Sequence, residues 1–227
     1  MLTARFILER FSKDGKLLEK RDQPSRSFLY QFLELLYVAH AQIDSGAPYS
    51  MTDINSVAQD IDSYTTSGAH YTKGTLKIGA PGGGSETIFS PGTRPTSTVD
   101  YALIGHPGDL VGIQVGTGVG AVTPTDVAMG TRIAHGEAAG ELEYGGCELV
   151  RMTIADPNGQ FTIRRYFTNN SGGGITVQEV GIYAGGTKYL IGTGLAYLFC
   201  IARDLTGGIA VLDTELLRAT YVIQITI

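Results

Sequence analysis

The sequence predicts a mainly β protein with an N-terminal helical element: an antiparallel β-sandwich, jelly-roll or immunoglobulin-like, carrying an extended Gly/Thr/Pro-rich arm. Three observations predict it. From Leu110 onward, short apolar runs alternate with Gly, Asn and Asp clusters at the spacing of consecutive strands and turns. Glycine is uneven, with one in residues 1–45, ten in 46–110 and twenty in 111–227, so the turn-making residue gathers where the strands are read. Helical spacing of three and four, by contrast, is confined to the first 64 residues.

Taken in order, Leu2, Ala4, Phe6 and Leu8 alternate with Thr3, Arg5, Ile7 and Glu9, the period of a half-buried strand. Asp14-Gly15 supplies a hairpin turn and Lys16 to Lys20 the return. Ser25 or Ser27 can cap a helix running to Ile43, with Phe28, Phe32, Leu35, Leu36, Ala39 and Ile43 on one face. A second, shorter helix is expected near Thr52 to Tyr64, where Met51, Ile54, Val57, Ala58 and Ile61 repeat the pattern. Residues 1–64 thus read as an N-terminal hairpin and helices packed on the sandwich. Residues 65–109 read as the arm, broken by Gly82-Gly83-Gly84, Pro91-Gly92, Arg94-Pro95 and Pro107-Gly108. Pieces such as Thr75 to Ile78 could add to a neighbour's sheet edge.

Residues 110–227 read as the sandwich. Its expected strands are Val111 to Val115, Gly140 to Tyr144, Cys147 to Ile154, Phe161 to Thr168, Ile175 to Ala184, Leu198 to Ala202, Ile209 to Leu212 and Tyr221 to Ile227. If Thr168 faces Ile175 across a hairpin through Asn169 to Gly174, Arg164 falls opposite Glu179 as an exposed cross-strand pair, worth well under about 1 kcal/mol, that would help fix the register.

Composition narrows the function. Of the 227 residues 43% are hydrophobic, which is enough for a core, and the formal charge is -5, so a basic footprint for nucleic acid is missing. Residues 1–45 hold seven basic against six acidic groups, 46–110 three against six, and 111–227 seven against ten, so no block is a charged tail. No apolar run approaches the roughly 20 residues of a membrane helix. The N-terminus carries charges every few residues and predicts no secretory signal.

The candidate chemistry is weak against structural alternatives. Gly116-Thr-Gly-Val-Gly120 lacks the glycine spacing of a phosphate-cradling loop and reads as a tight turn. His40, His70, His106 and His135 form no chelating pair, Asp156-Pro-Asn-Gly159 has too few oxygen ligands for calcium, and neither a metal nor a cofactor is expected. Cys147 and Cys200 match no zinc or redox spacing; they read as buried free thiols, with a disulfide as the alternative. Glu137, Glu141 and Glu143 read as a solvated edge in preference to paired glycosidase carboxylates. Asn169-Asn-Ser171 matches a glycosylation sequon. No catalytic residue is expected.

The run VGIQVGTGVGAVTPTDVAMGTRIAHG from Val111, GELEYGG from Gly140, FTNNSGGGITVQEVGIYA from Phe167 and the final YVIQITI, together with the PSRSFLYQFLELLY segment upstream, resemble a module of tailed-bacteriophage virion proteins. The resemblance covers most of the chain and implies a structural component of the particle, made in the host cytoplasm, in the tail, neck, baseplate or capsid surface. No family catalytic residues exist to be carried over. Two functions follow as expectations. One is an assembly protein whose copies join as a ring or tube, and contact other virion proteins, through arm residues such as Ile78, Ile88, Phe89 and Tyr101. The alternative is a glycan- or receptor-binding surface using Tyr144, Tyr166, Tyr183, Tyr189 and Tyr197.

Overall fold

In the computed structural model of the chain, which describes residues 2–25, 28–41, 49–62, 76–78, 85–86, 101–105, 107–108, 110–155, 158–190 and 193–226, the N-terminal alternation becomes strand β1 (Leu2–Phe11). Ala4, Phe6 and Leu8 are buried while Thr3 and Arg5 are exposed. The turn at Asp14-Gly15 closes with Gly15 at φ +78°, and β2 (Leu17–Ser25) returns antiparallel. Helix α1 (Tyr30–Ala41) starts after the predicted caps. Ser25 ends β2 and donates its hydroxyl to Asp204 Oδ2 at 2.7 Å, while the Tyr30 N–H donates to Pro124 O at 2.9 Å. Ser27 and Ile43 lie outside the described residues. Leu35 and Val38 face the core, with Phe28 and Phe32 stacked beside them at 4.5 Å.

The second predicted helix is not formed. Residues 49–62 make a hairpin of β3 (Tyr49–Thr52) and β4 (Ala58–Asp62), with Met51 opposite Gln59. Asp53 is the physical reason. Buried at 3% exposure, its Oδ1 accepts the N–H groups of Asn55 (2.8 Å) and Val57 (3.0 Å) and its Oδ2 accepts Gln59 Nε2 (2.8 Å). A carboxylate that holds local amides competes with the helical ladder, and Ser56 at φ +62° completes the turn.

The described pieces of the predicted arm are β5 (Leu76–Ile78), β6 (Ser85–Glu86) and β7 (Tyr101–Gly105). There follow β8 (Gly112–Gly116), β9 (Glu143–Ala155), β10 (Asn158–Thr168), β11 (Ile175–Leu190), β12 (Thr193–Val211) and β13 (Leu216–Thr226). Two predicted breaks are absent. Strand β9 runs through Gly145-Gly146, where Gly145 lies against Tyr166 and its carbonyl accepts Arg165 Nε at 2.8 Å. Strand β12 joins the predicted strands at 198–202 and 209–212, its irregularities falling where register shifts against β11 and at Gly207 and Gly208, both at positive φ.

All paired strands run antiparallel. One sheet has the order β2-β1-β13-β10-β9-β7, a second β12-β11-β8, and a third β3-β4-β5-β6. The first two share one buried cluster, with Phe6, Leu8, Ile163, Phe167 and Leu217 from one and Ile113, Val177, Ile182, Phe199 and Ile209 from the other. Each such side chain contributes about 1.5–3 kcal/mol by leaving water. Within the cluster Tyr221 Oη donates to Asp204 Oδ2 at 3.0 Å, linking β13 to β12. The expected hairpin register is corrected: β10 and β11 belong to different sheets. Arg164 lies opposite Glu148 and Thr220, and Glu179 opposite Leu205 and Gly116. Residues 169–174 cross between sheets because buried Asn169 donates its amide to Gly173 O and, on β12, Val211 O, each at 2.7 Å.

Replacing Tyr221 with Phe removes the hydroxyl that joins the two sheets and leaves Asp204 with one partner fewer. The expected loss is about 1 kcal/mol of stability, read from urea unfolding with an unchanged m-value.

Candidate functional site

The most closely knit polar cluster is assembled from the Gly-rich segment after β8. Thr117 N–H donates to Thr131 O (2.8 Å) and Ile133 N–H to Val115 O (2.9 Å), so residues 131–133 run back along the edge of β8. Glu179 on β11, fully buried, fills the space beneath. Its Oε1 accepts the N–H groups of Gly118 (3.1 Å) and Thr131 (2.7 Å), and its Oε2 accepts Gly130 N–H (3.0 Å) and Arg203 Nε (2.7 Å). Arg203, 4% exposed, also donates to Asp126 Oδ2 at 2.6 Å and to Gly120 O at 3.1 Å. Asp126 in turn accepts the N–H and hydroxyl of Thr123. The glycines are needed for closeness. A Cβ on Gly118 would stand 2.4 Å from Glu179 Oε1, and one on Gly116 2.5 Å from the same atom.

Burial alone would raise the Glu179 carboxyl, but the Thr131 N–H, the Arg203 guanidinium and the Gly130 N–H outweigh it and hold it below the usual range. Asp126 shows the same balance, burial opposed by Thr123 and Arg203, and it too is lowered. Three backbone donors of the kind that cradle a phosphate therefore already hold an anion, the protein's own.

The other flagged residues are placed as follows. His135 Nδ1 accepts the Tyr144 N–H at 2.9 Å; His70 and His106 lie outside the described residues, as does the side chain of His40. Glu141 accepts the Ala138 N–H three residues away, Glu143 accepts Asn170 Nδ2 from the segment after β10, and Glu137 is exposed. The sequon's Asn169 is buried with its amide nitrogen engaged twice, so it offers no acceptor for a glycan in the folded chain. Cys147 and Cys200 are free and buried; burial pushes the Cys147 thiol up to about 11 and the Cys200 thiol higher. Arg164 pairs with Glu148 at 2.6 Å. Arg165 is fully buried, donating to the carbonyls of Gly145, Val111 and Ile113 over the ring of Tyr144. Among the tyrosines considered for sugar stacking, Tyr144 and Tyr183 are core residues, Tyr166 is half-buried, and the side chains of Tyr189 and Tyr197 lie outside the description. Of the arm residues, Ile78 lies opposite Ile61 and Tyr101 opposite Val150 by their backbones, while Ile88 and Phe89 lie outside the described residues.

Helix α1 presents what the sequence reading missed. Tyr30, Leu33 and Tyr37, at i, i+3 and i+7, are 55%, 61% and 54% exposed and form one apolar stripe. Beside it a cleft of about 180 Å³ is lined by Tyr30, Gln31, Glu34, Thr52, Pro124 and Asp126, among others, none of them basic. Gln31 is 4% exposed; its Nε2 donates to Thr52 O and its Oε1 has no partner among the described residues. The signal was present in YQFLELLYVAHA, a helix with a single carboxylate and apolar residues on every side.

Replacing Glu179 with Gln turns an amide NH2 toward donors and breaks the buried Glu179–Arg203 ion pair, with an expected loss of about 3 kcal/mol or more by chemical unfolding. Because the carboxyls of Glu179 and Asp126 are lowered in the folded chain, their contribution is complete above the unfolded values near pH 4. It is lost as pH falls through the folded values, so the urea midpoint declines below about pH 4, less steeply in Glu179→Gln. Gly118→Ala forces the loop off Glu179 and is expected to lower stability by about 1–3 kcal/mol, read by thermal unfolding.

Among the described residues no group of three His, Cys, Asp or Glu is placed to hold a metal, and no helix is long and apolar enough to cross a membrane. Comparison of the chain with protein-family models, curated proteins and solved structures finds no match.

Proposed function

We propose that this chain is a non-enzymatic structural protein of a tailed-bacteriophage particle, in the tail, neck or baseplate, that works by repeated contacts between its copies. In this reading the two sheets with their shared core are the layers of a β-sandwich. The observation that carries it is the α1 stripe: three large apolar side chains, each more than half exposed, aligned on one face of a helix whose other face is in the core. An aligned apolar face of this kind marks a contact surface, whereas scattered exposed apolar residues do not. Two further features support it. The Gly-rich run that carries the phage resemblance is built into the fold as a loop held on Glu179. The buried cysteines and the sequon asparagine are likewise engaged in packing or in backbone hydrogen bonds.

Sedimentation velocity and electron microscopy of the full chain over a range of concentrations test the assembly. A concentration-dependent species of defined size, ring or tube, is expected, together with detection of the chain as a stoichiometric component of purified tailed particles. A monomer at the highest attainable concentration overturns it.

A further inference from the structure

The α1 stripe adjoins a cleft whose polar lining is formed by carboxylates, hydroxyls and an amide. Glu34 and Asp126 supply the carboxylates, and Arg203 is the shared partner of Asp126 and Glu179, leaving that trio with one negative charge in excess. Gln31 also lines the cleft, and its buried carbonyl oxygen has no donor among the described residues. Such a surface fits apolar side chains accompanied by an ammonium group. At about 180 Å³ the cleft is smaller than the roughly 300–1,000 Å³ of small-molecule sites, so its scale is that of one inserted side chain.

The same chain presents the matching surface elsewhere. At the β1–β2 turn Lys13 and Lys16 are exposed, and among the described residues neither joins an ion pair. Leu17 and Leu18 follow at 47% and 43% exposure. The nine residues of β2, at about 3.3 Å each, carry the chain roughly 30 Å along the strand from that turn before α1 begins. The turn and the stripe are separate patches of complementary chemistry on one chain.

We propose that the β1–β2 turn of one copy docks on the α1 stripe of the next, a Lys13 or Lys16 ammonium entering the acceptor-lined cleft as Leu17 and Leu18 cover Leu33 and Tyr37. The occupant is a second copy of this chain. The contact is heterologous, so it propagates head to tail and yields a ring if the rotation closes and a filament if it does not. This rests on the assembly reading and names its surface.

The test is sedimentation velocity of the full chain and four variants, each checked for native circular dichroism. Leu33→Asp and the double variant Leu17→Asp/Leu18→Asp alter exposed positions and are expected to raise the dissociation constant by about tenfold or more. Lys13→Glu/Lys16→Glu is expected to weaken association and reduce its salt dependence. Ile154→Asp, at a still more exposed apolar site on β9, is expected to leave it unchanged. Mixing the Leu33→Asp and Leu17→Asp/Leu18→Asp chains is decisive: each keeps one intact patch, and a 1:1 pair that grows no further is expected. A wild-type chain that stays monomeric overturns the assembly reading itself. Wild-type assembly that persists in Leu33→Asp, is lost in Ile154→Asp, or gives no pair on mixing overturns this interface alone.

Discussion

The carboxylate of Glu179 is the point from which the irregular part of the molecule takes its shape. Two oxygens meet three backbone amides and one guanidinium, all at 3.1 Å or less, in a place closed to water. Such a group is stable only when all of its acceptor capacity is met, because an ion sealed from solvent without partners is worth several kcal/mol against folding. The requirement runs outward. Residues 118 and 130–131 must converge on it, glycine must stand where a Cβ would intrude, and Arg203 must be held between Glu179 and Asp126. Asp126 then holds Thr123, and the neighbouring Pro124 carbonyl receives the first amide of α1.

That chain of dependence explains why a helix with so little charge can sit on a β protein with three of its large apolar side chains facing water. α1 is held at its start by Pro124 O and Ile201 O, which accept the Tyr30 and Leu29 amides, and along its inner face by Leu35 and Val38. On its outer face Tyr37 packs edge-on against the ring of Tyr49 at 5.6 Å, while Tyr30 and Leu33 face water. Exposed aromatic and leucine side chains raise the free energy of the isolated chain in water, and in an assembly protein that unfavourable hydration becomes the driving force of association. Under the proposed contact the carboxylate-lined cleft beside the stripe would add selectivity, since a neighbour without a cation brings Glu34 no positive charge.

The regular strands were readable because their evidence is local. Ala4, Phe6 and Leu8 in β1, and Leu217, Ala219, Tyr221 and Ile223 in β13, alternate in sequence and are buried together on one face. Where a decision depended on distant partners, local evidence misled. The apolar residues at 51, 54, 57, 58 and 61 suit a helix as well as a hairpin until Asp53 is seen to hold Asn55, Val57 and Gln59. Arg164 and Glu179 look like cross-strand partners only if consecutive strands pair, whereas Asn169 draws the connection across to β12. Glu179 itself looked like a surface residue of that hairpin. Nothing nearby in sequence announces that its partners are residues 118, 130, 131 and 203. The stripe at Tyr30, Leu33 and Tyr37 was legible, since a helix apolar all round has one face too many for a single core.

The pairing of β1 with β13 has a consequence for when the two surfaces of the proposed contact take their final form. Thr3 lies opposite Gln224, so a central strand of the larger sheet is supplied by the start of the chain and completed near its end. Contacts of such long sequence separation form late, after the loop-closure entropy of nearly the whole chain has been overcome. The turn that follows β1 takes its position from that sheet, and α1 waits on Pro124 and on Ile201 of β12, which accept its first amides. A growing chain on the ribosome would therefore present neither surface in its final form, and under the proposed assembly timing alone would keep unfinished copies apart.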